Sequence, residues 1–440
     1  MNVGQNMLPK VAYGDGCYVV DSAGNRYLDG SGGPAVFSLG HSHPEVNTAI
    51  KTQLDRIAHG YRYTFSSDPL ERLNSLIQSQ VGDDLEHVLY VSSGSEAMES
   101  ALKVALQYHW TKGNRSKTRF ISRDRSYHGN TLGALAVSGF SQRRKQFESS
   151  LFGCSFISAA NDYRPPEGIS AAELSGFLAG ELEQEIVRVG PENVAAFIFE
   201  PVVGATGGVV PAPAGYLREI RDVCDRYEVL MIADEVMCGS GRCGTWRALQ
   251  HDDITPDIMA IGKSLGGGYV PLGATLFSAG IGAPIYAEDG APNTGHTFTG
   301  HTLACAAAAA VQEIMIRDKL VARVHSRGPI FMDNLRGKIE DLEAVGDIRG
   351  MGYFVGIEVV QDKSTKQPFD PELQMHERIK ARTLECGLIC YPIGGNIDGI
   401  HGDVAILAPP YIATDQELNE IIEKFDKGLR LALTDVGTKM

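Results

Sequence analysis

Four short apolar runs limit most strongly how this chain can fold: 87-HVLYV-91, 194-VAAFIFE-200, 229-VLMIADEV-236 and 258-IMAIG-262. Each has the length and composition of one buried strand, and helical patterns lie between them. In 96-EAMESALKVALQYH-109, Met98, Ala101, Leu102, Ala105 and Tyr108 recur at spacings of three and four, the period of one helix face. Strand–helix alternation of this kind predicts an α/β fold with a mostly parallel sheet covered on both faces. The chain ends read differently. Residues 11–30 predict two short strands around the turn Ser22-Ala23-Gly24-Asn25. Beyond about residue 325 a charged helix leads to a strand pair in 347-DIRGMGYFVGIEVV-360 and a helix in 372-ELQMHERIKARTLECG-387. The expected division is a large domain over 61–325 and a smaller α/β domain over 326–440, to which residues 1–60 contribute.

Length and charge exclude several function classes. With 440 residues the chain exceeds one ordinary core. Its net charge of −14 gives no basic face for a nucleic-acid backbone, so no nucleic-acid partner is expected. The eight cysteines include no C-x-x-C, and the pairs Cys238/Cys243 and Cys386/Cys390 lack histidine companions. Reduced thiols in a cytoplasmic protein are expected, with no metal site. His41 and His43, in GHSHP, also lack companion ligands. No apolar run approaches the roughly 18 residues of a membrane span.

In open α/β sheets, ligands gather where strands end and helices begin. The run 258-IMAIGKSLGGGYVPLGA-274 delivers Lys263 to such an end among glycines. Lys263-Ser264 looks like the close of a nucleotide loop, G-x-x-x-x-G-K-[ST], but the first glycine of that pattern would be residue 257, which is aspartate. A desolvated lysine instead has a lowered pKa and can attack a carbonyl. Three more strand ends carry unusual residues. In 91-VSSGSEA-97 a helix start with Gly94 and Ser95 suits an anion, or is simply an N-cap. In 126-SYHGNTLGALAVSG-139, Tyr127 either covers a flat ring that Gly129 lets approach or packs on the core. Asp234 ends its apolar strand with a carboxylate that needs a cationic partner, from a ligand or from the protein.

Phosphate, flat ring, protonated ring nitrogen and aldehyde together describe pyridoxal 5′-phosphate. With these motifs in this order, the sequence resembles the class III (subgroup II) aminotransferases of fold type I, from DSAGNRYLDGSGG near the start to LAPPYIATDQEL near the end. The resemblance implies a seven-stranded-type sheet, a homodimer with shared active sites, and amino transfer by a ping-pong route. It implies that Lys263 bonds to the cofactor's aldehyde and later moves a proton, and that Asp234 pairs with the ring nitrogen. Gly94 and Ser95 would hold the phosphate, while Tyr127 and Val236 cover the two ring faces. His128 and Gly129 would wall the pocket, Glu200 would orient the site, and Thr297 would reach the neighbouring subunit's phosphate.

Departures from the family pattern point to the substrate. Relatives that use 2-oxoglutarate usually carry an arginine just before A-P-P and a glutamate that pairs with it; this chain has Ile406 and Ala205. Met237 replaces a glutamine common in those relatives. The run DEVMCGSGRCGTW resembles the amine:pyruvate (ω-transaminase) branch, so the expected partners are a small amine donor and pyruvate. Asp415 falls near the place where some members of that branch carry a carboxylate-binding arginine, leaving no obvious anchor. Arg62 is the candidate anchor from 59-HGYRYTF-65, with Tyr61 and Tyr63 as pocket walls and Ala35 as a sign of extra room. A 2-oxoglutarate-dependent aminotransferase, an aminomutase or a decarboxylase on the same fold remain alternatives.

Overall fold

The computed structural model describes residues 8–437 except residue 83. Its largest sheet has seven strands, in the order His87–Val91, Gly273–Phe277, Ile258–Ile261, Leu230–Asp234, Val194–Phe199, Arg119–Arg123 and Cys154–Ile157. Only Gly273–Phe277 runs antiparallel to its neighbours. The apolar runs are uninterrupted because both faces are covered. Ile198, Ile232 and Ala260 pack into one core with Met98 and Leu102 of the helix Gly94–Thr111. Phe197, Phe199, Met231, Ala233 and Met259 point into the opposite core with Leu182 and Ile220. Alternate residues of one strand thus fill two different cores.

The chain ends meet in a separate sheet. Tyr18–Asp21 and Arg26–Asp29 form the expected hairpin, and Leu388–Ile389 adds to it in parallel, pairing Leu388 with Leu28. A third strand, Val11–Asp15, also joins, because Gly16 (φ +54°) turns the chain back on itself where one strand was expected. The expected strand pair is Val345–Met351 with Phe354–Val359, continued by Asp403–Leu407 and Tyr391–Gly394 into an antiparallel sheet. Among the described residues no helix is long and apolar enough to cross a membrane.

The parallel strands all end on one side. Asp234 closes its own strand, Glu200 follows Phe199, Lys263 stands two residues past Ile261, and Gly94 opens the helix after His87–Val91. This is the edge at which such sheets hold ligands.

Candidate active site

Those strand ends enclose a cavity of 180 Å³ lined by Gly94, Ser95, Tyr127, His128, Gly129, Glu200, Ala205, Asp234, Val236, Met237 and Lys263. Every pocket residue expected from the cofactor pattern lines it except Thr297. Ala205 and Met237 are additional wall residues. Both interrupt the charged or polar pattern of the 2-oxoglutarate users, which is the signal by which sequence could have placed them here.

Lys263 opens a short helical turn, Lys263–Leu265, and has φ +43°, a left-handed conformation unusual for a residue with a side chain. The strain is held from behind. The Gln312 amide donates to the carbonyls of Ser264 (3.4 Å) and Leu265 (2.9 Å), and the Tyr411 hydroxyl bonds Ser264 Oγ at 3.1 Å. The Lys263 amine itself has no hydrogen-bond partner among the described residues. Burial lowers its pKa from 10.5 to about 8, against the opposing pull of Asp234 and Glu200. Such an amine is partly neutral near physiological pH.

Asp234 is nearly fully buried and accepts two bonds. Its Oδ1 takes the N–H of Val236 at 3.0 Å, and Oδ2 lies 2.8 Å from His128 Nδ1. With Asp234 ionised, Nδ1 carries the imidazole proton and Nε2 faces Ser122 Oγ at 3.3 Å. His128 therefore steadies Asp234 from behind as well as walling the cavity. Glu200 is held by the N–H groups of Tyr127 and Gly204, both at 2.9 Å, and burial raises its pKa. Beneath it the fully buried Arg123 donates to the Glu200 carbonyl.

The helix start shows that the two readings of Ser-Gly-Ser coexist. Ser93 Oγ caps the helix by accepting from Glu96 N–H at 3.1 Å, and Glu96 accepts from Ser92 N–H at 2.6 Å. The N–H groups of Gly94 and Ser95 have no acceptor among the described residues and border the cavity. A Cβ on Gly94 would meet Val236 Cγ1 at 2.8 Å, so glycine is what this wall admits. Gly129 has φ +143°, and a Cβ there would come equally close to Ser95 Oγ, which accepts from Asn130 N–H at 3.0 Å.

The class III aminotransferase family profile matches residues 1–429. The chain belongs to that family. An uncharacterized aminotransferase from Schizosaccharomyces pombe is 40% identical over 423 residues, covering 95% of this aminotransferase and 92% of the relative. The uncharacterized aminotransferase YodT of Bacillus subtilis is 38% identical, with 95% and 94% covered. Among solved structures, the ω-transaminase of Pseudomonas jessenii in complex with PMP superposes with a TM-score of 0.92 at 31% identity, covering 98% of this chain and 94% of the other. The cofactor of this aminotransferase is pyridoxal 5′-phosphate, as in its family.

The remaining expected residues lie elsewhere. Ala35 is buried in an apolar cluster with Met237, Ile406 and Ala408 and is not on the cavity wall. Tyr61 and Tyr63 are exposed. Arg62 reaches Thr299 Oγ1 at 3.3 Å, beside the exposed Thr297. The side chains of Tyr61, Arg62, Tyr63 and Thr297 lie on the surface and do not line the cavity of their own chain.

Proposed function

We propose that this aminotransferase moves an amino group from a primary amine or ω-amino compound to a 2-oxo acid, pyruvate first, in two half-reactions at one site. The observation that carries this reading is that no charge stands where 2-oxoglutarate users carry their arginine and glutamate. Ile406 is fully buried with Ala35, Met237 and Phe354, and Ala205 faces the cavity. A second carboxylate pressed against Ala205 and Met237 would lose its water and gain no cation. A short mono-carboxylate avoids the cost.

The residues present fit the cofactor. The unpaired amides of Gly94 and Ser95, at the start of an 18-residue helix, suit its phosphate. Tyr127 and Val236 suit the two faces of its ring, with Gly129 making room, and the buried Asp234 carboxylate suits a protonated ring nitrogen. Once bound, pyridoxal phosphate supplies an aldehyde for the amine and a ring that takes up negative charge from the substrate carbon. The protein's part is then to orient and to move protons. Lys263 Nζ, lowered to about 8, binds the cofactor and serves as the base that takes and returns the substrate proton. Asp234, fixed by His128 and Val236 N–H, keeps the opposing positive charge in place. Glu200 ties the Tyr127 loop to the strand end.

The exposed patch fits a shared site. Tyr61, Tyr63, Phe65 and Phe298, all more than half exposed, are chain neighbours of Arg62 and Thr297, and the Arg62–Thr299 bond joins the two segments. A homodimer would cover this apolar surface and let Thr297 reach the phosphate of the other copy.

The test is a half-reaction assay. Holoenzyme should lose its visible cofactor band with an amine donor and regain it with pyruvate faster than with 2-oxoglutarate. Recovery with 2-oxoglutarate alone would overturn the acceptor assignment.

A further inference from the structure

The departures at Ile406 and Asp415 leave the acceptor carboxylate without a cation, and the cavity wall supplies none besides Lys263. Most nearby arginines are buried and do not line the cavity. Arg242 is fully buried and donates to the carbonyls of Tyr353 and Pro409. Arg123 is buried and donates to the Glu200 carbonyl, and Arg62 bonds Thr299 on the exposed patch. Arg144 is buried too, bound to the carbonyls of Leu135, Ala136 and Ser138 and paired with Glu148.

Its neighbour Arg143 is different. The guanidinium lies over the Tyr127 ring, 5.1 Å from its centroid, and 5.4 Å from the centroid of Phe140. Phe140 meets Tyr127 edge-on, so the cation contacts two rings set at right angles. No carboxylate lies within 4.0 Å of Arg143 and none of its side-chain N–H groups has an acceptor, among the described residues. Tyr391 stands close enough for Arg143 to offset part of the rise that burial gives its hydroxyl pKa. Tyr391 also packs against the cluster containing Met237, a wall residue. Arg143 is thus an exposed cation seated on the ring of Tyr127, itself a wall residue, with its planar donor fork unspent.

We propose that Arg143 receives the carboxylate of the oxo-acid acceptor and is the specificity-determining cation of this site. Seating on two rings limits the side-chain freedom that binding would otherwise remove, and it leaves the edge of the guanidinium free for a bidentate bond. Because Arg143 is exposed and is not one of the lining residues, its side chain is free to swing aside when a donor without a carboxylate enters. The proposal rests on the reading that the acceptor is a 2-oxo acid.

Arg143→Gln and Arg143→Lys, at an exposed position, would be compared with wild-type holoenzyme, using pyruvate and propanal as acceptors that differ in the carboxylate. The ratio of kcat/KM for pyruvate to that for propanal is expected to fall about 10- to 100-fold in Arg143→Gln and less in Arg143→Lys. Calorimetric titration with propanoate, which cannot react, should show affinity lowered about tenfold or more in Arg143→Gln. An unchanged ratio together with unchanged propanoate affinity would overturn the proposal. If wild type uses no oxo acid at all, the acceptor reading fails by itself, and the propanoate titration still decides whether Arg143 binds a carboxylate. Wild type that does not bind propanoate would sink the proposal.

Discussion

At the scale of single residues, the site works by keeping opposite charges apart from water but near each other. Lys263 should titrate as a buried amine. Below about pH 8 it is protonated and unreactive; above that it is neutral and nucleophilic. Modification of Lys263 by an amine-directed reagent, followed by mass spectrometry in cofactor-free protein, should therefore reach half its maximal rate near pH 8. A midpoint near the ordinary 10.5 would mean that the amine is hydrated and not poised for chemistry. Asp234 gives the complementary test. Asp234→Asn retains the shape but not the charge, and His128 Nδ1 then loses an ionic acceptor. Amino transfer should slow about a hundredfold or more, with the far-ultraviolet circular dichroism unaltered. A variant with wild-type turnover would remove Asp234 from the chemistry.

At the scale of elements, the start of the helix Gly94–Thr111 sets a helix cap, Ser93, beside a cavity-lining residue, Gly94. Ser93 serves the helix, because its hydroxyl caps Glu96 N–H. Ser93→Ala should cost about 1 kcal/mol in urea unfolding. Gly94 serves the cavity. In Gly94→Ala the new methyl meets Val236 Cγ1 at 2.8 Å, so cofactor retention should weaken about tenfold, measured by equilibrium dialysis. Equal effects of the two changes on both measurements would merge these roles. The same contrast explains which elements sequence makes visible. The runs ending at Phe199, Asp234 and Ile261 are unbroken apolar segments because both their faces are buried, and they stand out. Arg119–Arg123 does not, since it begins and ends with arginine and Arg123 is buried on the Glu200 carbonyl. Gly273–Phe277 opens on glycine, and nothing local marks it as the antiparallel strand of the sheet. Lys263 and Asp234 are visible because charge at the end of an apolar strand demands a reason. Arg143 is not, because an arginine in SQRRK looks like ordinary surface until the Tyr127 ring is found beneath it.

At the scale of the whole molecule, the unresolved weight falls on residues that are exposed in one copy. Thr297 stands on the surface near Arg62, away from the cavity that Lys263 lines. Local pattern specifies such a residue but not the copy of the chain in which it acts, so Tyr61, Arg62, Tyr63 and Thr297 cannot be assigned to a cavity from sequence alone. If two copies share their sites, defects in different subunits should complement. Lys263→Ala removes the amine from a subunit's own cavity; Thr297→Arg would damage only the cavity of its partner. Each homodimer then has two defective sites. In a mixed dimer, one site combines both defects, while the other has the intact Lys263 of one subunit and the intact Thr297 of the other. Random reassociation of equal amounts makes half of the dimers mixed, so activity should return to about one quarter of the wild-type level. The measurement is a rate recorded before and after dissociation and remixing, with the dimer mass checked by sedimentation. Mixtures that stay inactive while mixed dimers are present would confine each active site to a single chain.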